Sequence, residues 1–155
     1  MIILNSGFGC ASAVAQLKGG SLAPQLSGTV KFYQRPGGII VEAQVFGLPY
    51  NKTDIYGFHI HTGESCTGEN FSAVGMHYNP RSQEHPKHAG DLPPLFSCGG
   101  RAYLAVMTDR FSMREILGRS VVIHSAADDF TTQPSGNSGE KIACGVILPV
   151  GKCCK

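Results

Sequence analysis

The sequence predicts an all-β protein built as an antiparallel β-sandwich or barrel, and three observations support this. Short runs rich in β-branched and aromatic residues alternate with glycine- and proline-containing turns along the chain. Almost no stretch shows the 3.6-residue periodicity of an amphipathic helix. Glycine is abundant, with 20 residues, while charged residues make up only 15%. This composition is typical of turn-rich β proteins.

The first half of the chain predicts a short strand followed by a hairpin. Residues 14–18 form a first strand that Gly19 and Gly20 end. Two β-rich runs, residues 29–34 and 39–46, then flank Arg35-Pro36-Gly37-Gly38. A proline followed by glycines between two such runs is a strong turn pattern, so the two runs are predicted to pair.

The second half predicts another strand pair, an ambiguous segment and two further strands. Residues 92–96 and 101–107 are expected to pair through a turn at residues 98–100, with the prolines marking a sheet edge. Residues 111–117 are predicted as a loop, although Arg114 to Leu117 could form a helical turn. The remaining strands and the tail are expected at residues 120–124, 142–148 and 149–155. The whole chain, residues 1–155, is predicted to be one domain with its core at about 13–148.

Histidines are concentrated between the two halves. Five of the six lie between His59 and Asp91. In residues 56–61 apolar and polar side chains alternate, and strand side chains point to opposite faces with period two. His59 and His61 should therefore share one face of a strand, where two imidazoles can hold one metal ion.

The following segment, residues 66–91, is rich in glycine, proline, asparagine and serine and is predicted to be a long loop. It carries three histidines and an aspartate, which are His77, His85, His88 and Asp91. Three imidazoles and a carboxylate form the closed four-ligand set that structural zinc prefers, whereas imidazoles alone suit copper or zinc. Two ions are therefore expected. The sixth histidine, His124, ends a β-branched run and could supply a further copper ligand.

Several ordered motifs resemble one known family. They are Gly57-Phe58-His59-Ile60-His61, His77-Tyr78-Asn79-Pro80, His88-Ala89-Gly90-Asp91-Leu92, Val122-Ile123-His124 with Asp128-Asp129, and Gly136-Asn137-Ser138-Gly139 leading to Ala143-Cys144-Gly145-Val146-Ile147. Over roughly residues 13–148 these closely resemble copper/zinc superoxide dismutase. The resemblance implies an eight-stranded Greek-key β-sandwich or flattened barrel with long metal-binding loops.

The resemblance also implies which residues hold the metals. The copper ligands would be His59, His61, His77 and His124. The zinc ligands would be His77, His85, His88 and Asp91, with His77 shared by both ions. Asp128 would bridge a copper histidine and a zinc histidine through hydrogen bonds. The alternatives are that Asp91 merely ends a turn and that Asp128 caps a loop.

The implied activity is the conversion of superoxide to dioxygen and hydrogen peroxide by copper redox cycling, with zinc structural. His77 and Lys141 are the candidate catalytic residues. Lys141 stands where the family usually has an arginine beside the copper channel, and its alternative role is a solvated charge at a strand edge. A second possibility is a copper- and zinc-binding relative without dismutation, which would buffer or deliver metal.

Departures from the family pattern concern the loops. His85 and His88 are separated by only two residues, the segment from His124 to Gly136 is shortened, and the Cys66–His77 segment is long for a eukaryotic member. These features resemble bacterial members more than animal ones.

Among the six cysteines, the resemblance implies a disulfide between Cys66 and Cys144, the alternative being two unpaired core thiols. This pair is expected to be the single structural disulfide. Cys10, Cys98, Cys153 and Cys154 match no pattern, and the adjacent pair in the tail is predicted to consist of free thiols.

Charge and hydropathy limit the partners. A net charge of +2 without a basic patch does not favour nucleic-acid binding, and no apolar run is long enough for a membrane helix. Residues 1–13 faintly resemble a signal segment but lack a basic start, so cleavage is not expected and a cytoplasmic location is favoured. An extracytoplasmic location is the alternative if further residues precede Met1. The expected partner is superoxide, and a homodimer is possible.

Overall fold

The computed structural model describes residues 7–151, which form nine antiparallel strands and two short helical turns. The strands are β1 (Ala13–Gly19), β2 (Ser27–Arg35), β3 (Gly38–Phe46), β4 (Ile55–Tyr56), β5 (Phe58–His61), β6 (Leu95–Cys98), β7 (Arg101–Thr108), β8 (Ser120–His124) and β9 (Lys141–Pro149). The helical turns are a 3-10 segment at Glu69–Val74 and α1 at Met113–Ile116.

The strands follow the order β4-β6-β7-β3-β2-β1-β9-β8-β5. Pairing of β3 with β7 and of β1 with β9 joins strands far apart in the chain, as in a Greek key. Only Gly57 separates β4 from β5, and this brings the two ends of the order together into a nearly closed barrel. The predicted fold class is confirmed. Nine strands are present instead of eight because the short β4 is separate from β5.

The predicted first hairpin is present, with β2 and β3 in register from Ser27–Phe46 to Arg35–Gly38. Its turn places Pro36 before Gly37, whose φ of 83° suits glycine. Val30, Phe32, Val41 and Val45 are fully buried in the barrel interior. Burial of this inward face fixes the register, because a shift by one residue would turn every one of these side chains outward.

Three element predictions need correction. Residues 111–117 are not wholly loop: α1 forms because Ser112 and Glu115 make a reciprocal capping box. The strand expected at 92–96 begins only at Leu95, since Pro93 and Pro94 have no backbone N–H to donate. The loop at 66–91 contains the 3-10 segment, which kinks at Asn70 and Phe71.

Near its ends, the described part of the chain differs little from the prediction. Strand β9 continues to Pro149, one residue into the predicted tail. The expected uncleaved start at Met1 to Leu4 and the tail cysteines Cys153 and Cys154 lie outside the described residues. Within residues 7–151, no helix has the length and apolar character needed to cross a membrane.

Strand pairing positions the histidines. Strand β5 pairs with β8, so that His59 lies opposite Val122 and His61 opposite Ser120. On its other edge β5 meets the long loop through the bridges His59–Asp91 and His61–His77. Strand β5 therefore pairs with β8, which ends in His124, along one edge and with the long loop along the other edge.

Candidate metal centre

The alternation expected in β5 is present, although all four of its residues are buried. Phe58 and Ile60 belong to the hydrophobic core. His59 and His61, on the opposite face, lie beside histidines from the loop and from β8. The core contacts of the apolar face therefore fix the side chains of the two histidines.

A first ligand group consists of four buried histidines. His59, His61, His77 and His124 each offer a ring nitrogen, and these nitrogens lie within 4.8 Å of one another. The Nε2 atoms of His61 and His124 are 3.2 Å apart. Nδ1 of His59 and Nε2 of His77 are buried and have no hydrogen-bond partner among the described residues. Buried, unpartnered imidazole nitrogens that converge in this way suit copper.

The other ring nitrogen of each β-strand histidine is engaged. Nε2 of His59 lies 2.8 Å from Asp128, Nδ1 of His61 lies 2.9 Å from the Gly75 carbonyl, and Nδ1 of His124 lies 3.3 Å from the Gly139 carbonyl. These acceptors favour a proton on the engaged nitrogen and leave the converging nitrogen with a free lone pair.

A second ligand group combines three histidines with Asp91. The members His77, His85, His88 and Asp91 are buried, and their ligand atoms lie within 4.8 Å of one another. Nδ1 of His77 is 2.8 Å from one Asp91 oxygen, and the Nδ1 atoms of His85 and His88 are 3.1 and 3.3 Å from the other. Although they lie close to Asp91, the Nδ1 atoms of His85 and His88 form no hydrogen bond among the described residues. Three nitrogens and a carboxylate form a donor set that suits structural zinc.

His77 belongs to both groups. Its Nδ1 lies beside Asp91 in the second group, whereas its buried Nε2 lies on the side of the first. One imidazole thus offers a different nitrogen to each group, and the two groups are adjacent.

Asp128 connects the two ligand groups by contacting one histidine of each. One of its oxygens lies 2.8 Å from Nε2 of His59, and the other lies 2.8 Å from Nε2 of His85. The backbone N–H of Phe130 donates a further hydrogen bond to it. Gly136 allows this arrangement: a Cβ there would come within 2.0 Å of the Asp128 carboxylate and 2.6 Å of His85.

Burial lowers the pKa of the three histidines of the first group that lie outside the loop. It lowers the pKa of His59 to about 4, of His61 to about 2 and of His124 to about 3. Burial by itself would raise the pKa of Asp128, but hydrogen bonds from His59, Phe130 and His85 hold it at about 2. At neutral pH the imidazoles of His59, His61 and His124 are therefore neutral and the Asp128 carboxyl is ionised, which are the forms that suit metal binding.

Lys141 lies at the edge of this centre. It begins β9 opposite His124, is half-buried, and lines a cavity of about 480 Å³ together with His61, His77 and His124. The cavity connects the first ligand group with the surface. Glu84 lines the same cavity, so an anion entering it meets a negative charge as well as the lysine.

Gln133 makes a contact with the backbone of His85 that the sequence did not predict. Its side-chain oxygen accepts the backbone N–H of His85 at 2.9 Å, and its amide donates to the His85 carbonyl at 2.8 Å. A glutamine in a loop 48 residues away carries no motif, so no pattern in the sequence indicates this pairing.

The predicted disulfide between Cys66 and Cys144 is confirmed, with Cα atoms 5.7 Å apart. It packs with Val74, Val122 and Phe71 beneath the 3-10 segment. The expectation of a single disulfide is wrong, because Cys10 is also disulfide-bonded. Spacing alone could not reveal this, since six cysteines allow many pairings. Cys98 is a free, exposed thiol.

Comparison with known proteins agrees with this geometry. The family model for copper/zinc superoxide dismutase matches residues 26–147. A superoxide dismutase [Cu-Zn] of Deinococcus radiodurans is 35% identical over 148 residues, which cover 81% of this chain and 79% of that relative. One from Legionella pneumophila is 33% identical over 132 residues, covering 80% and 79%. A frog relative, superoxide dismutase [Cu-Zn] A of Xenopus laevis, is 35% identical over 138 residues, covering 79% and 89%.

Most of the similar relatives are bacterial, as the loop lengths led us to expect. The family model spans most of the barrel and both ligand groups, and the relatives align over about four fifths of the chain. On this evidence the chain belongs to the copper/zinc superoxide dismutase family.

Proposed function

We propose that this protein is a superoxide dismutase, an oxidoreductase that converts superoxide to dioxygen and hydrogen peroxide. The observation that carries the proposal is His77, which offers one ring nitrogen to each of two adjacent, buried ligand groups. A histidine placed in this way can link a redox-active site to a structural one.

In this proposal the two groups hold different metals. Copper is bound by the four histidines of the first group, which are His59, His61, His77 and His124. Zinc is bound by the second group, which is His77, His85, His88 and Asp91. The all-nitrogen donor set supports copper in the first group, and the added carboxylate supports zinc in the second.

Bound copper supplies one-electron chemistry, by which one superoxide is oxidised to dioxygen and the next is reduced to peroxide. Forming hydrogen peroxide also consumes two protons. His77 would hold one at its buried Nε2 whenever that nitrogen does not bind metal, and water would supply the other. Asp91 keeps the ring in place from its other side.

Lys141 has an electrostatic part in this proposal. Superoxide is a small anion, and the cavity that leads to the first group carries the Lys141 ammonium in its wall. A fixed positive charge there raises the local concentration of the anion.

Asp128 orients the rings of His59 and His85 and does not line the cavity.

Superoxide is the partner in this reaction, and nucleic acid and membranes are not. A homodimer is the assembly to be tested, and sedimentation of the purified protein at several concentrations distinguishes it from a monomer.

Metal analysis and a dismutation assay on one purified preparation test the function. The proposal expects copper and zinc in equal amounts, each at about one per chain, together with activity that disappears when the metals are removed. Full metal content without dismutation would instead indicate the metal-buffering or metal-delivery alternative. Absence of both would contradict the metal centre itself.

A further inference from the structure

Arg110 makes an unusual set of contacts just outside the second ligand group. It lies two residues after the end of β7 at Thr108, and its neighbour Phe111 is buried in the core, which fixes the backbone at this point. Its backbone N–H donates to the hydroxyl of Thr108. The side chain then extends toward the loop that carries His85, His88 and Asp91.

One guanidinium nitrogen of Arg110 reaches three backbone carbonyls of this loop. Nη1 lies 3.1 Å from the Pro86 oxygen, 3.3 Å from the His88 oxygen and 3.2 Å from the Asp91 oxygen. Two of these residues belong to the second ligand group, and Pro86 directly follows a third member, His85. The arginine therefore contacts the backbone of the loop at three points within six residues.

The geometry of the loop explains why a cation is needed there. Only two residues separate His85 from His88, so the chain turns tightly, with the Lys87 N–H bonded to the Glu84 carbonyl. The turn aims three carbonyl dipoles at one place, where their negative ends repel each other. A guanidinium neutralises this repulsion, because its hydrogen bonds to carbonyls are charge-assisted.

Other contacts of the loop do not take over this role. Gln133 holds the backbone of His85, and the Asp91 side chain accepts the N–H of His88. The His88 carbonyl also accepts the Asp91 N–H. No other donor among the described residues forms a hydrogen bond with the carbonyls of Pro86 and Asp91, so these two depend on Arg110.

We propose that Arg110 is a positioning residue that holds the backbone of His88 and Asp91 at the spacing zinc requires, and so controls how firmly the second group retains zinc. The inference rests on the assignment of zinc to that group in the proposed function. Arg110 touches no ligand atom and acts only through the backbone. A lysine could supply the charge and the donors, but its side chain is one bond shorter, so its nitrogen would not reach the place that Nη1 occupies.

Zinc release from the metal-loaded full-length protein tests this role. The variants are Arg110→Met, which keeps much of the side-chain length, and Arg110→Lys, which keeps the charge. Arg101→Met serves as the matched control, because Arg101 is exposed at the other end of β7. Each protein is mixed with an excess of a chromogenic zinc chelator at neutral pH, and the release rate is recorded.

We expect Arg110→Met to release zinc about 10- to 100-fold faster than the parent, the range known for contacts that support metal ligands. Arg110→Lys should lie between the two, and Arg101→Met should match the parent. Visible absorption of Co²⁺ loaded into the second group should change in Arg110→Met and return toward the parent spectrum in Arg110→Lys, an effect that general loss of stability would not produce.

The two hypotheses fail in different ways. A parent that binds no zinc would contradict the proposed function and this inference with it. A parent that retains zinc, with Arg110→Met and Arg110→Lys releasing it at the same rate as Arg101→Met, would overturn the role of Arg110 alone. Should Arg110→Met fold poorly, the release rate of Arg110→Lys decides the question.

Discussion

At the scale of single residues, three histidines of the first ligand group use their two ring nitrogens differently. They are the histidines outside the loop, His59, His61 and His124. One nitrogen faces the centre of the group, and the other contacts Asp128 or a glycine carbonyl. The hydrogen bonds fix both the tautomer and the ring orientation. The acceptors beyond the ligands therefore matter to metal binding almost as much as the ligands themselves.

Replacing His61 with alanine tests the division into two groups. His61 belongs only to the first group, so His61→Ala should abolish dismutation while zinc stays bound. His88→Ala is the matched counterpart, because His88 belongs only to the second group and its loss should release zinc and spare copper. Metal analysis and a dismutation assay of both variants provide the measurement. Activity retained by His61→Ala would refute the assignment of His61 to copper.

Changing the charge of Lys141 tests its steering role. Lys141→Glu should slow dismutation and flatten or invert its dependence on salt, because salt screens such attraction over about 10 Å at 0.1 M. Lys141→Arg should preserve or raise the rate, since arginine adds a planar donor set. Both variants should bind copper and zinc as the parent does.

The control for Lys141 is Lys52→Glu, which makes the same charge change at an exposed residue that does not line the cavity. Rates measured at low and high ionic strength separate the local effect from that of net charge. If Lys141→Glu matched the parent at low ionic strength with full metal loading, some other charge would steer the substrate.

The stability of the metal-free protein should depend on pH through the buried histidines. Burial lowers the pKa of His59 from 6.5 to about 4 and of His124 to about 3. Below pH 6.5 the unfolded chain takes up protons that the folded chain does not, so stability is complete above pH 6.5 and falls as the pH approaches 4. Asp128, with a pKa of about 2, adds a loss of the same sign at lower pH.

Thermal unfolding of the metal-free protein at pH 7.5, 6 and 4.5 checks this dependence. The unfolding midpoint should fall over the series, and His124→Asn should reduce the fall. A midpoint that stayed constant or rose toward pH 4.5 would contradict neutral, buried imidazoles in the folded state.

At the scale of elements, the Cys66–Cys144 disulfide joins the start of the long loop to β9, the strand that begins with Lys141. It closes a chain separation of 78 residues. The 3-10 segment of the loop packs on the same bond through Val74 and Phe71. The bond thus holds the loop against the barrel on the side of the cavity.

Removing this disulfide should destabilise the fold. Cys66→Ala with Cys144→Ala should lower the free energy of unfolding by about 2–4 kcal/mol, because the unfolded chain regains the freedom of a long loop. Cys98→Ala is the control, since Cys98 is free and exposed and its replacement should leave stability unchanged. Urea unfolding measures both. A double variant as stable as the Cys98→Ala control would show that the disulfide does not stabilise the fold by restricting the unfolded chain.

Elements with a clear local sequence pattern could be predicted from the sequence, and elements without such a pattern could not. The β2–β3 hairpin has a turn pattern between two β-rich runs, and β5 has a strict alternation, so both are present as expected. Helix α1 has only four residues, too few for helical periodicity, and the capping box of Ser112 and Glu115 is the one sequence pattern that could have indicated it. The supporting contacts of Gln133 and Arg110 join residues far apart in the chain and leave no local pattern.

At the scale of the whole molecule, the barrel determines where the metal centre lies. The strand order puts β5 between β8 and the loop that ends at Asp91, so six histidines spread over 66 positions of sequence meet in two groups. The fold class and the order of the ligands could be predicted, because both appear as patterns along the chain. The disulfide of Cys10, the third disulfide-bonded cysteine among the described residues, could not, because the pairing of cysteines depends on the folded arrangement.

The central claim is that His77 joins a copper site to a zinc site. Crystals of the metal-loaded protein, with diffraction recorded on both sides of the copper and zinc absorption edges, test it most directly. We expect a copper peak among His59, His61, His77 and His124, and a zinc peak at about 2.0–2.1 Å from the histidine nitrogens of the second group. His77 should lie between the two peaks. A single metal peak, or a zinc peak from which His85 or His88 stands well beyond bonding distance, would contradict the claim.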